Sequence, residues 1–168
     1  YVYRKARKSK HSDKTYRYSG LTFLMIPEVV ERLSGKDFET YLNQNFFERL
    51  GASELLFNPA DKVSIERIVP TERDNLFRKT LTRGWVHDEN AALLGGVSGN
   101  AGLFANTHSL LPVLEMLLNG GEYKGEQFLK NSTVETFTQI QFKENSNRRG
   151  LGFDKPMIDN DTLSYEDS

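Results

Sequence analysis

The sequence predicts an α+β domain that is predominantly helical. Three observations carry that expectation. Apolar residues recur at intervals of three and four over four capped stretches. The β-branched runs that read as strands are short and confined between residues 52 and 99. At 168 residues and 38% hydrophobic, the chain can bury one compact core, with no reason to expect two domains.

The first helix is expected over 20–34. Ser19 is a natural N-cap for Leu21, Phe23, Leu24, Met25, Ile26, Val29, Val30 and Leu33, and Gly35 ends the run. So many apolar residues read as a mostly buried helix. Pro27 stands past the first turn, where a missing donor costs about 3 kcal/mol, so the helix should kink there or restart with Pro27 near its N-terminus. The second helix, 37–50, has Asp37 as cap, Phe38, Tyr41, Leu42, Phe46 and Leu50 in period, and Gly51 as a left-handed stop. Joined at Gly35-Lys36, the two form a helical hairpin.

Between Ala52 and Gly99 the pattern breaks into pieces. Asn58-Pro59-Ala60-Asp61 is a turn signal, Ile65–Val69 and Thr80–Val86 read as short strands, and His87–Leu94 as one or two helical turns. Four glycines then fall between Gly95 and Gly102, permitting conformations and approaches that a side chain would block. A third helix is expected over 109–119, from Leu110 to Leu118, apolar nearly all round and therefore central. Pro112 falls in its first turn only if Ser109 is the N-cap. A last helix over 132–141, capped by Asn131 or Ser132, puts Val134, Phe137 and Ile140 on one face.

Composition removes several function classes. A formal net charge of −1 gives no global field for nucleic acid. No apolar run approaches the roughly 20 residues of a membrane span. Without cysteine there is no disulfide, thiol catalysis or thiolate-bound zinc. The basic run Arg4, Lys5, Arg7, Lys8, Lys10, Lys14 and Arg17 reads as a solvated tether rather than a phosphate patch, and Asp154, Asp159, Asp161, Glu166 and Asp167 crowd the other end. His87-Asp88-Glu89 offers three potential metal ligands, but consecutive side chains diverge, and the other histidines, His11 and His108, lie at no metal-site spacing. Asp88 is better read as a helix cap, with Trp85 beside it as packing, and no metal or cofactor is expected.

Two blocks carry a resemblance. Tyr18-Ser19-Gly20, followed by Leu-Thr-Phe-Leu and a helix ending in Glu-Arg-Leu-Ser-Gly, resembles the second active-site motif, Tyr-Ser/Ala-Asn/Asp, of class C β-lactamases and related carboxypeptidases and esterases. Val86-His87-Asp88-Glu89-Asn90-Ala91, then Gly-Gly-Val-Ser-Gly-Asn-Ala-Gly-Leu-Phe and a leucine-rich helix, is similar to the stretch between the second and third motifs of that family. The likeness spans about residues 16 to 155. It is nearest to the branch fused to bacterial glycoside hydrolases of the β-N-acetylglucosaminidase type.

The resemblance implies a chemistry and a division of labour. In such enzymes a Ser-x-x-Lys supplies the nucleophile, the motif tyrosine helps move its proton, and a Lys/His-Thr/Ser-Gly on an edge strand binds substrate beside the oxyanion hole. Tyr18 matches the tyrosine; a phenol is a poor base at neutral pH unless nearby cations favour the phenolate. Ser19 holds the middle position, and Gly20 stands where Asn or Asp is usual. Asn100 and Ala101 match positions that line the substrate cleft. From the residue alone, Tyr18 reads as a packed helix-start tyrosine with its hydroxyl in solvent, and the second block turns it to the motif reading; Asn100-Ala101 reads equally as a tight turn before a buried helix. Neither Ser-x-x-Lys nor Lys/His-Thr/Ser-Gly occurs in the chain. The expectation is therefore the helical lobe of a β-lactamase/transpeptidase-like fold with most of its antiparallel sheet missing. It is one partial domain over 1–168, with a basic lead-in (1–17), motif and helical hairpin (18–51), irregular stretch (52–99), glycine turn and third helix (100–121), and last helix and acidic tail (122–168). Alone it is expected to be inactive, and its uncovered apolar faces should self-associate or meet missing parent segments. The intact parent would take a cell-wall peptide, a β-lactam or an ester, in the periplasm or outside the cell. A non-catalytic accessory lobe on a cell-wall glycoside hydrolase is the rival reading.

Overall fold

A computed structural model describes Arg4, Lys8, residues 18–145 and residues 147–156. The tether expected over the basic lead-in and the acidic tail beyond Pro156 lie outside the described residues, apart from Arg4 and Lys8. The described chain is α+β, with helix outweighing strand, and it divides into two compact units meeting between Pro112 and Val113.

In the first unit the expected helical hairpin is present, with its first arm broken. Helix α1 (Leu21–Leu24) stops at Met25, and α2 (Ile26–Ser34) restarts with Pro27 in its first turn, where the missing N–H costs nothing. Ser19 is not the cap. Gly20 already has helical dihedrals, φ −76° and ψ −9°, and takes the N-cap position, while the Ser19 hydroxyl accepts from the Leu21 N–H at 3.2 Å. Nor is this arm mostly buried: only Leu24 and Pro27 are, while Leu21, Phe23, Ile26, Val29 and Leu33 are exposed.

The second arm is continuous but mixed. Helix α3 (Phe38–Leu42) is capped by Asp37, whose carboxylate accepts from the Thr40 N–H at 2.9 Å. One π-turn (Asn43–Phe47) leads into α4 (Glu48–Leu50), and Gly51, at φ 69°, ends it. Phe38, Phe47 and Leu50 are the buried side of this arm, and the Phe38 ring packs tilted against Phe57 at 6.2 Å between centroids.

Strand β1 (Leu56–Phe57) pairs antiparallel with β4 (Leu103–Phe104), a pairing too short to show as alternation in the sequence. Asn58-Pro59-Ala60-Asp61 does turn, as a 3-10 turn over Pro59–Asp61. The strand expected at Ile65–Val69 is instead a 3-10 turn over Ile65–Arg67, closed by the Arg67 N–H on Ser64 and the Ile68 N–H on Ile65, and only Ile68 is buried. The strand starts one residue after Val69. Strand β2 (Pro70–Asp74) pairs antiparallel with β3 (Thr80–Arg83), with a register shift between Pro70 and Glu72. Trp85 is 46% exposed, so the packing role expected of it is not met. Helix α5 (Glu89–Leu93) has Asp88 as its cap, accepting from the Ala91 N–H at 2.7 Å.

The third long helix, α6 (Thr107–Leu118), begins earlier than expected because Asn106, not Ser109, caps it: Asn106 Oδ1 accepts from the Ser109 N–H at 2.8 Å. The Ser109 hydroxyl is committed elsewhere, as acceptor for the Glu54 N–H at 3.1 Å. Pro112 therefore lies inside the helix, with no N–H to give the carbonyl four residues back. The expected burial of this helix fails too: Ser109 and Met116 are buried, but Leu110, Leu111, Leu114 and Leu118 are exposed.

In the second unit, β5 (Glu122–Tyr123) and β6 (Glu126–Gln127) form a hairpin that the sequence reading missed. Its turn residues, Lys124 and Gly125, both have positive φ. Helix α7 (Asn131–Thr138) is capped by Lys130 in extended geometry, not by Asn131 or Ser132, and ends before Gln139 returns to extended backbone. Val134 is its buried residue, whereas Phe137 is 46% exposed.

One carboxylate organises the β2–β3 hairpin. Asp74 is buried and accepts from the backbone N–H groups of Leu76, Phe77 and Arg78 at 2.8 to 2.9 Å, and from Arg78 Nη1 at 3.3 Å. The same guanidinium donates to the carbonyls of Val86 and His87, at 2.6 and 3.4 Å, tying the hairpin to the following segment. Burial pushes the Asp74 carboxyl up, but the three backbone donors and Arg78 outweigh it and hold the group down at about 2, against an ordinary 3.8. Its contribution to stability is therefore complete above pH 3.8 and is lost as pH falls towards 2. Asp74→Asn puts an amide donor among donors. In denaturant titrations the variant should be less stable than wild type at pH 7, with the difference shrinking from pH 4 to pH 2. A gap that does not change with pH would refute this account.

Candidate active site

The residues singled out by the two sequence blocks lie in the first unit, on two segments in contact. Tyr18 and Ser19 form an exposed turn leading into α1, with Tyr18 78% exposed. The Gly95–Gly102 loop runs back along the same helix. A Cβ at Gly99 would fall 2.4 Å from the Phe23 carbonyl oxygen and 2.9 Å from the Ile26 Cβ, so only glycine lets the loop lie this close. Gly102 has φ +108°, and a Cβ there would come 2.2 Å from the Gly96 carbonyl oxygen. The loop is thus closed on itself while pressed against the break between α1 and α2.

This approach brings Gly20 against Asn100. A Cβ at Gly20 would sit 3.5 Å from Asn100 Nδ2, an ordinary van der Waals contact. Ala101 follows in the loop, half-buried. The sequence reading gave Ser98 no role, yet it is buried, and its hydroxyl donates to Asn100 Oδ1 at 2.7 Å. The sequence carries no signal for this bond, because a serine within a glycine-rich run reads as loop composition. The His87-Asp88-Glu89 triplet diverges: His87 Nδ1 is 2.8 Å from Glu72 Oε1, while Asp88 caps α5. A separate cavity of about 310 Å³ is lined by Leu56, Val63, Ile68, Val69 and Phe104 among others, and by none of the motif residues.

Residues 1–158 match the family model described as Beta-lactamase. The chain belongs to the β-lactamase family. It is 34% identical to a protein of Escherichia coli (strain K12) named "Putative D-alanyl-D-alanine carboxypeptidase", over 72% of this chain and 31% of that protein. A namesake from Salmonella typhi is 32% identical over 73% of this chain and 31% of its own length. The chain thus spans under a third of the curated relatives that it matches. No solved structure gives a significant match. The family is that of the serine β-lactamases and penicillin-binding-protein-like hydrolases.

That contact separates glycines required by geometry from one that is not. Gly102→Ala should destabilise by about 1–3 kcal/mol from backbone strain alone, before the overlap with Gly96 is counted. Gly20→Ala, at helical dihedrals and with its Cβ at ordinary contact distance from Asn100, should instead raise stability by about 0.4–1 kcal/mol, because it narrows the unfolded ensemble without strain in the fold. Paired thermal melts decide the matter, and a Gly20→Ala melt as low as that of Gly102→Ala would contradict it.

Proposed function

We propose that this chain is the part of a serine hydrolase of the β-lactamase/D-Ala-D-Ala carboxypeptidase/esterase type that contributes the motif tyrosine, Tyr18, and lines the substrate cleft with Gly20, Asn100 and Ala101. The observation that carries the reading is the close approach of the glycine loop to the motif segment, Gly99 against Phe23 and Asn100 beside Gly20, which brings the two sequence blocks together. Tyr18 is exposed at that surface, as a group that meets a substrate must be. Its role is proton transfer to and from a serine that the Ser-x-x-Lys motif supplies in another part of the parent, and Ser19 positions the turn through Leu21.

The D-alanyl-D-alanine carboxypeptidase name of the relatives supports a cell-wall peptide as substrate, and with it a periplasmic or secreted location. The exposed leucines of α6 and the exposed apolar residues of α1 and α2 fit a helical lobe whose covering sheet belongs to the rest of the parent. A second reading, an accessory lobe beside a cell-wall glycoside hydrolase such as a β-N-acetylglucosaminidase, is favoured by one feature: Gly20 has no side chain to offer a substrate.

The isolated chain should neither hydrolyse a chromogenic β-lactam nor gain the mass of a labelled penicillin. A full-length polypeptide carrying it with a Ser-x-x-Lys should do the latter, losing about 10²- to 10⁴-fold in acylation rate on Tyr18→Phe, the scale of one acid–base group. Intact-mass spectrometry reads both. An adduct on the isolated chain would sink the division of labour, and a full-length protein that never acylates would leave the accessory lobe. Light scattering over a concentration series should show the isolated chain self-associating; a clean monomer throughout would count against uncovered faces.

A further inference from the structure

The space beside Gly20 is not empty of chemistry. Its backbone is ordinary helical and a Cβ there would touch nothing harder than an amide, so neither strain nor crowding explains the glycine. The nearest atoms to that missing Cβ all belong to Asn100: Nδ2 at 3.5 Å, Cβ at 3.8 Å and Cγ at 4.0 Å. The side chain of Asn100 therefore lies within ordinary contact of the point where a side chain at residue 20 would begin.

The orientation of that amide is set from the other end. Ser98, 4% exposed, donates to Asn100 Oδ1 at 2.7 Å, which turns Nδ2 away from the loop and towards the Tyr18–Gly20 turn. Among the described residues, Nδ2 donates to no protein group. A primary amide whose oxygen is engaged and whose nitrogen is free presents donors only, so the group it complements is an acceptor. Held by a buried hydroxyl on a loop that glycines keep against α1, it is also pre-organised: its rotamer is fixed before any ligand arrives.

We infer that Asn100 is a substrate-binding residue whose side-chain N–H donates to a carbonyl oxygen of an amide substrate, supplying from the loop the amide that position 20 lacks, with Ser98 as its positioning residue. The inference rests on the hydrolase reading above. It also answers the feature that favoured the rival, since a glycine at position 20 then leaves the site with its donor intact.

The test uses the full-length protein that carries this chain, with labelled penicillin as the probe and acylation rate as the readout, alongside a thermal melt. Asn100→Asp keeps an acceptor for Ser98 and removes the donor, so acylation should slow about tenfold or more, on the scale of one lost hydrogen bond, with the melt little changed. Asn100→Ala should slow it similarly, and adding Gly20→Asn to Asn100→Ala should restore a large part of the rate, because the new amide starts within contact distance of the space that the old one vacates. Ser98→Ala, which releases the amide, should fall between wild type and Asn100→Ala. Wild-type rates in both Asn100 variants of a protein that still acylates would overturn the inference and leave the hydrolase reading standing. A loss that tracks a lowered melt and is not recovered by Gly20→Asn would overturn it in favour of a structural role. A wild-type protein that forms no adduct at all would overturn the hydrolase reading, and the role of Asn100 with it.

Discussion

The first unit depends on a near-contact between two backbones: Gly99 against the carbonyl of Phe23. A side chain at 99 would need that carbonyl to move, and the carbonyl belongs to the four-residue helix that follows the motif turn. Because α1 is so short, it has little stability of its own. The loop that packs on it and the restart of α2 at Pro27 hold it in place. The placement of Gly20 beside Asn100 follows from that packing. What the site can do is thus decided by how closely main chain can approach main chain, before any polar side chain is considered.

Such dependence explains which parts of the sequence were legible. The carboxylate caps Asp37 and Asp88 are legible because the signal is local: each accepts from a backbone N–H three residues on. Ser109 was misread for the opposite reason: its hydroxyl is recruited by Glu54, 55 residues away in the chain, and Asn106 takes the cap instead. The two-residue strands β1 and β4 carry no alternation to detect, and pair only because the chain between them folds back. Apolar content at α1, α2 and α6 was read as burial, yet many of those residues stay exposed. Periodicity reports which face is apolar, and whether anything covers that face depends on what packs against it.

At the site, the residue types were legible and their relations were not. Tyr18-Ser19-Gly20 and Asn100-Ala101 stand out in the sequence, but nothing in it places position 20 beside position 100. Ser98 went unnoticed because a serine in a glycine-rich run reads as loop composition, and its meaning appears only when its hydroxyl is seen holding an amide in one orientation.

The π-turn at Asn43–Phe47 has a consequence for how this chain tolerates change. A π-turn accommodates one residue more than the α-helix that would join the same ends. Deleting one residue within it would restore regular α geometry between the same ends, so Phe38 and Leu50 would both keep the buried side, whereas a deletion in the regular part of the arm would swing everything beyond it by about 100° around the axis, one residue's worth of rotation. The turn is therefore a place where this arm can lose a residue without losing its buried face, and length variation among its relatives within the arm should fall there.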